Sequence, residues 1–164
     1  MILLRYLLLL AATCAYAQFV PADFQVPASH TAATFQLKPL GPALAKHDFD
    51  AYMASIEHLQ KNFSHSDRWP NSKITMADAV KDVEGEEARF KARKSFTYAV
   101  LSLDGTKELG CVYISPSRKE GFDANIRMWV TKAEFDKGLQ PVVLAEVKAW
   151  LAKSWPFKKV SYPE

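Results

Sequence analysis

Three apolar segments separated by turn signals constrain this chain more than any other feature. Ser95-Phe96-Thr97-Tyr98-Ala99-Val100-Leu101 is rich in aromatic and apolar side chains, and Asp104-Gly105 follows as a turn pair. Leu109 to Ile114 reads as the returning strand, and a loop with Pro116 and Gly121 leads to a third, Ala124 to Val130. Strand-forming runs punctuated in this way predict an antiparallel meander.

The flanks of the meander carry helical spacing. Phe49, Met53, Ile56, Leu59 and Phe63 recur every three or four residues between His47 and Phe63, which makes one apolar helical stripe with Asp48 near its start. Thr75 and Asp78 resemble a capping box that opens a second helix through Ala79, Val80 and Val83. A third helix is expected from Pro141 to Leu151, where Pro141 suits the first position and Val143, Val147, Trp150 and Leu151 face a sheet. Thr34 to Leu37 alternates as an opening strand ended by Pro39, and Lys159 to Tyr162 makes a closing one. The order is strand, two helices, three antiparallel strands, helix, strand, an α/β (α+β) pattern.

The 164 residues fit one domain. Residues 1–17 differ in composition: Arg5 precedes an apolar run from Leu7 to Ala12, and Ala15-Tyr16-Ala17 puts small residues at the two positions that determine cleavage. This is the order of a secretory signal peptide cut before Gln18, near Ala17. The run is short for a bilayer core of ~30 Å, so no stable membrane span is expected. The alternatives are a lipid anchor through Cys14, or a cytoplasmic protein if translation starts later. Residues 18–33, with Pro21 and Pro27, read as a linker, and 34–164 as the domain. After cleavage only Cys111 remains, within the apolar run Gly110 to Ile114, so a buried strand cysteine is expected rather than a disulfide or nucleophile. Lys and Arg total 21 against 18 Asp and Glu. Nucleic acid is therefore not an expected partner.

The ordered set of elements resembles the GNAT superfamily of N-acetyltransferases from about Phe35 to Tyr162. Leu37-Lys38-Pro39-Leu40 opens it, and Phe96 to Val100, Asp104-Gly105 and Leu109-Gly110-Cys111-Val112-Tyr113-Ile114 match the family's second and third strands. Asp123 to Val130 takes the place of the fourth. The resemblance implies a mixed, mainly antiparallel sheet of about five strands with helices on both faces. It also implies acetyl-CoA seated in a V-shaped split between the fourth and fifth strands. On that basis Met128, Trp129 and Val130 line the thioester, and a strand N–H polarises its carbonyl. The loop from Lys132 to Gln140 meets the phosphates through Gly138, Leu139 and Gln140, with Lys132 and Lys137 adding charge. Glu134 is the first candidate by position for the base that deprotonates an amine acceptor.

The family's phosphate loop usually reads Gln/Arg-x-x-Gly-x-Gly/Ala. Aligned on Gly138, this chain has Phe135 and Gln140 at the other marked positions, so one of three matches. The resemblance reaches the family's fifth strand, and Glu164 lies just beyond it. Tyr162 stands on a different element from the tyrosine that protonates the leaving thiolate in the family. Two function classes follow. One is an acetyl-CoA-dependent N-acyltransferase. The other is an exported, non-catalytic module on a truncated GNAT scaffold, which binds a ligand or protein partner or completes its sheet as a homodimer.

The remaining polar groups have plainer readings. His47, Asp48, Asp50, His58 and His65 lack converging metal-ligand spacing and read as helix-start acids and solvated histidines, so no metal is expected. Glu84, Glu86 and Glu87 before Arg89, Lys91, Arg93 and Lys94 read as helix-surface pairs. Asp123 and Asp136 flank the expected cofactor loop as ordinary loop acids.

Overall fold

Six strands form a single sheet and succeed one another across it in chain order. This is seen in a computed structural model that describes residues 19–163. The expected leader, its cleavage point and Cys14 lie outside the described residues. The strands are β1 (His30–Thr31), β2 (Gln36–Pro39), β3 (Phe96–Leu101), β4 (Glu108–Pro116), β5 (Ala124–Val130) and β6 (Val160–Ser161). Every neighbouring pair is antiparallel except β5 with β6, which is parallel.

Helices cover both faces. The helices α1 (Ala45–Met53), α2 (Ile56–Leu59) and α3 (Met76–Lys91) precede β3, whereas α4 (Lys132–Asp136) and α5 (Leu139–Ser154) follow β5. Strand alternation sorts the core into two clusters. Ala99, Leu101, Cys111 and Trp129 pack with Tyr52, Leu59, Ala79 and Val83 from α1–α3. On the opposite face Tyr98, Val100, Val112, Ile126, Met128 and Val130 pack with Val143, Val147, Trp150 and Leu151 of α5. Among the described residues no helix is long and apolar enough to cross a membrane.

The meander, including its third strand Ala124 to Val130, and the second helix fall where the sequence puts them. Thr75 and Asp78 form the capping box at the start of α3, with side chain to backbone bonds in both directions. Three stretches differ from expectation. The single helix over 47–63 is broken at Ala54 and Ser55 and continues through α2 into a π-turn, Gln60–Ser64, that ends at the left-handed His65. The break sets buried Ser55 to accept a hydrogen bond from Lys132 N at 3.0 Å.

The segment read as a linker belongs to the domain. Val20 is fully buried in the α5-side core, and Phe19 and Phe24 pack against it. Tyr98 donates to the Pro27 carbonyl at 2.6 Å, Arg93 donates to the Pro21 and Phe24 carbonyls, and His30–Thr31 pairs with β2. Prolines without periodicity suggested a linker, but the anchors are scattered side chains and carbonyls that leave no periodic trace.

The third difference is α4, which replaces most of the expected loop. Thr131 Oγ1 accepts from Glu134 N, and Ser55 serves Lys132 N, so two donors of its first turn are satisfied. Gly138, at φ 80°, sits in the left-handed conformation that ends α4 and starts α5. Pro141 is therefore the third residue of α5 rather than the first.

Candidate functional site

The sheet opens between β5 and β6. β5 runs beside β4 from Ala124↔Pro116 to Val130↔Gly110, yet it meets β6 only at Ala124↔Val160 and Asn125↔Ser161. Beyond Asn125 its far edge has no strand partner among the described residues. The bond from Thr131 N to Leu109 O fixes the phase of the β4–β5 ladder. By alternation, the N–H groups of Met128 and Val130 point away from β4, into the opening. The side chains of Met128 and Val130 face α5, whereas Trp129 faces α1 and α3, where its Nε1 donates to Tyr113 Oη at 3.0 Å. Of the three residues expected at a thioester, two thus direct backbone donors into the split and the third does not.

Glycine makes the close approach of β4 and β5 possible. A Cβ on Gly110 would lie 2.1 Å from the Trp129 carbonyl oxygen and 2.8 Å from Val130 Cα, both backbone atoms.

The residues expected to hold phosphates are engaged with one another. Lys132 Nζ pairs with Asp136, and Lys137 Nζ reaches Glu134 Oε1 at 2.9 Å, with Lys107 Nζ at 3.5 Å from the same oxygen. Glu134 is a buried residue, and its bond from Lys137 holds the carboxyl below its ordinary pKa. A Cβ on Gly138 would meet nothing within 4 Å, so this glycine serves a backbone turn rather than a close contact. The N-terminus of α5 has no side-chain cap, and Pro141 has no N–H. The first-turn donors left without a partner among the described residues belong to Leu139 and Gln140.

A cluster that the sequence did not suggest lies on the other face. Val100 pairs with Gly110 but Leu101 pairs with Glu108, so Leu109 is the extra residue of a bulge. The bulge turns Leu109 toward α5 and puts Glu108 beside Cys111 under α1. The Cys111 thiol lies 3.2 Å from Glu108 Oε1 and 3.6 Å from Asp48 Oδ1, and all three residues are buried. Asp48 is therefore a core carboxyl, not the solvated helix-start acid expected. Burial pushes its pKa up to about 6, against opposing hydrogen bonds from Glu108 and Cys111. Burial, then the charge of Asp48, pushes the Glu108 carboxyl well above its ordinary value. The Cys111 thiol is also raised, by burial first, as suits a structural cysteine. These three could hold a metal ion by proximity; the thiol bonds to one oxygen of each carboxyl, and Glu108 Oε2 is buried without a partner among the described residues.

Next to this cluster, a cavity of about 420 Å³ lies between α1, α3 and the sheet. Tyr52, Phe63, Trp69 and Tyr113 give it aromatic walls, while Asp48, Asp82 and Glu86 bring carboxylates and Arg89 and Arg127 bring cations. Arg127 lies on β5 between Ile126 and Met128, so this cavity adjoins the strand whose far edge is open.

No family model matches the chain, and no curated protein matches it by sequence. Solved structures do match in fold. The ribosomal-protein-S5-alanine acetyltransferase of Vibrio fischeri aligns with TM-score 0.59 at 15% identity, covering 77% of this chain and 68% of that one. An acetyltransferase from Thermus thermophilus aligns at 0.56 and 17%, covering 75% and 73%. The microcin C7 self-immunity acetyltransferase MccE, solved in complex with acetyl-CoA and AMP, aligns at 0.51 and 17%, covering 76% and 67%. The chain has the GNAT-like acetyltransferase fold.

Proposed function

We propose that this domain is an acyl-CoA-dependent N-acyltransferase. The observation that carries the reading is the unpaired edge of β5, where the N–H groups of Met128 and Val130 face a split in the sheet. A thioester carbonyl laid along that edge accepts from one of them. The oxyanion that forms when an amine nitrogen attacks the carbonyl carbon is then stabilised by a donor already in place. Collapse of this intermediate would make the amide and release the CoA thiolate, with the proton lost by the attacking nitrogen passing to that thiolate directly or through water. The free N–H groups of Leu139 and Gln140 at the start of α5 suit the pyrophosphate. Lys132 and Lys137 are close by but must exchange Asp136 and Glu134 for phosphate to contribute. Structural likeness to an acetyltransferase solved with acetyl-CoA supports the choice of ligand.

The engagement of those lysines, and the helical turn where the family has an open loop, favour a second reading: a non-catalytic module that keeps the scaffold to bind a ligand or partner. Thermal melting with CoA and acetyl-CoA separates the two. A ligand that binds only the folded state stabilises it by ~2.7 kcal/mol at one hundred times its dissociation constant. A saturable rise in Tm, followed by acetyl transfer to an amine, is the expected result. A well-folded protein with unchanged Tm at millimolar ligand would leave the second reading. The proposal includes export: cleavage before Gln18 leaves whole the packed segment that begins at Phe19. N-terminal sequencing of the mature protein tests that part.

A further inference from the structure

We infer that the cavity between α1, α3 and the sheet is a binding site for a small organic cation, an alkylammonium group held against aromatic walls with Asp82 as its counter-charge. The inference stands apart from acyl transfer, although an amine acceptor would be one such cation.

The walls are a connected aromatic surface. The ring of Trp69 lies 5.4 Å from Tyr52 and 5.9 Å from Phe63, Phe63 stacks on Tyr113 at 5.7 Å, and buried Trp129 backs the wall 6.3 Å behind Trp69. Such faces attract a cation that has lost part of its water. The protein itself uses this surface so: the Arg127 guanidinium lies 4.3 Å from the centre of the Phe63 ring, fixed by a bond from its Nη2 to the Phe63 carbonyl.

The charges around the cavity favour a cation once internal pairs are removed. Glu86 is engaged by Arg89 at 2.6 Å and by the Thr97 hydroxyl at 2.6 Å. Arg127 remains on the positive side. Against it stand Asp48 and Asp82, and Asp82 has no hydrogen-bond or ion-pair partner among the described residues. Burial, then Asp78 and Glu86, raises the pKa of Asp82, and the nearby cations of Arg89 and Lys81 offset only part of that rise.

An independent observation points to a missing ligand. Tyr52 is only 2% exposed and lines this cavity, yet its hydroxyl has no hydrogen-bond partner among the described residues. Leaving a buried hydroxyl unmatched is costly. An ammonium N–H offers that oxygen a donor, and its charge is attracted to the carboxylates whose field already bears on Tyr52, Asp48 and Asp82 among them.

The test uses probes of one chain length and three charges: n-butylammonium, 1-butanol and butyrate. Binding to the full protein, without CoA, is followed through the indole N–H resonances of Trp69 and Trp129. The expected result is saturable binding of butylammonium about tenfold tighter than butanol, with butyrate weakest. Asp82→Asn, a surface change on α3, should weaken butylammonium about fivefold and leave butanol unchanged. Tyr52→Phe should weaken it by a similar factor. Equal affinity for butanol and butylammonium would reduce the cavity to an apolar one and overturn the inference. So would tighter binding of butyrate, or an Asp82→Asn protein that binds butylammonium unchanged. Because no CoA is present, failure here leaves the acyltransferase reading standing, and failure to bind CoA leaves this one.

Discussion

Glu108 and Cys111 share one buried face of β4 although they stand three residues apart, and the Leu109 bulge is the reason. Were β4 regular through this stretch, strand alternation would put Leu109 beside Cys111 and turn Glu108 to the opposite face. The bulge thus brings a second carboxyl to Asp48, so that α1 rests on the sheet through two acids and a thiol.

This arrangement predicts an unusual pH dependence. Asp48 is raised from 3.8 to about 6 in the folded protein. A carboxyl raised on folding adds stability that is fully present below its unfolded pKa and is lost as pH rises through its folded one. For Asp48 that loss spans roughly pH 4 to 6 and amounts to on the order of 3 kcal/mol. Glu108, raised as well by burial and the charge of Asp48, adds to the decline. Denaturant unfolding should show greater stability at pH 5 than at pH 8. Asp48→Asn should flatten the profile and make the protein more stable than the parent at pH 8. A parent profile that rises steadily from pH 5 to 8 would show that the two carboxyls are not held as described.

Gly110 and Gly85 should respond in opposite directions to alanine. The Cβ of Gly110→Ala meets backbone of β5 at 2.1 Å and 2.8 Å, and backbone cannot swing aside as a side chain can. Prising β4 from β5 should cost several kcal/mol or prevent folding. Gly85 lies within α3, and its Cβ would meet only the end of the Arg89 side chain, at 3.4 Å. Gly85→Ala should therefore stabilise by about 0.5–1 kcal/mol through helix propensity. Thermal melts of the two variants give the comparison.

The readable parts of this fold were those that repeat. The meander and α3 carry alternation, turn pairs and a capping box, and the structure has them in place. Residues 19–33 carry no period because isolated anchors such as Val20 and the Pro27 carbonyl hold them down. The α4 helix did leave a local sign, since Thr131-x-x-Glu134 has the spacing of a helix start, but alignment on Gly138 as a phosphate loop obscured it. The aromatic cavity was less accessible still. Tyr52, Trp69 and Tyr113 come from three separate segments, and only tertiary packing assembles them. Glu108 was hidden by a one-residue bulge, which sequence periodicity does not reveal.

Removal of residues before 34 should destabilise the domain. It takes away Val20, a fully buried side chain worth about 1.5–3 kcal/mol. It also leaves the Tyr98 hydroxyl without the Pro27 carbonyl, at a cost of about 1–3 kcal/mol. For a chain of this length the sum should lower Tm by roughly 10 °C. A protein beginning at Phe19 should keep the parent Tm. Equal melting of both forms would restore the linker reading of this segment.

Glu134 offers the sharpest discrimination between two roles. As the base of an acyl transfer it would have to receive a proton, and Glu134→Gln would then abolish turnover while leaving CoA affinity unchanged. Its environment argues for another part. Lys137 lies 2.9 Å from its Oε1, its pKa is held low, and its backbone N–H helps close the first turn of α4. A carboxylate held in that way is a weak base. The glutamine variant keeps the backbone bond but releases Lys137 and Lys107 from their ion pairs. If those lysines then meet phosphate, CoA should bind a few-fold more tightly at low salt, with the gain screened away near 1 M salt. Transfer to an amine should persist within about threefold of the parent, since the β5 donors are untouched. Isothermal titration with CoA at two salt concentrations, alongside single-turnover rates, separates the roles. Unchanged affinity with turnover lost would make Glu134 the base, whereas tighter binding with turnover kept would make it the residue that holds Lys137 away from the ligand.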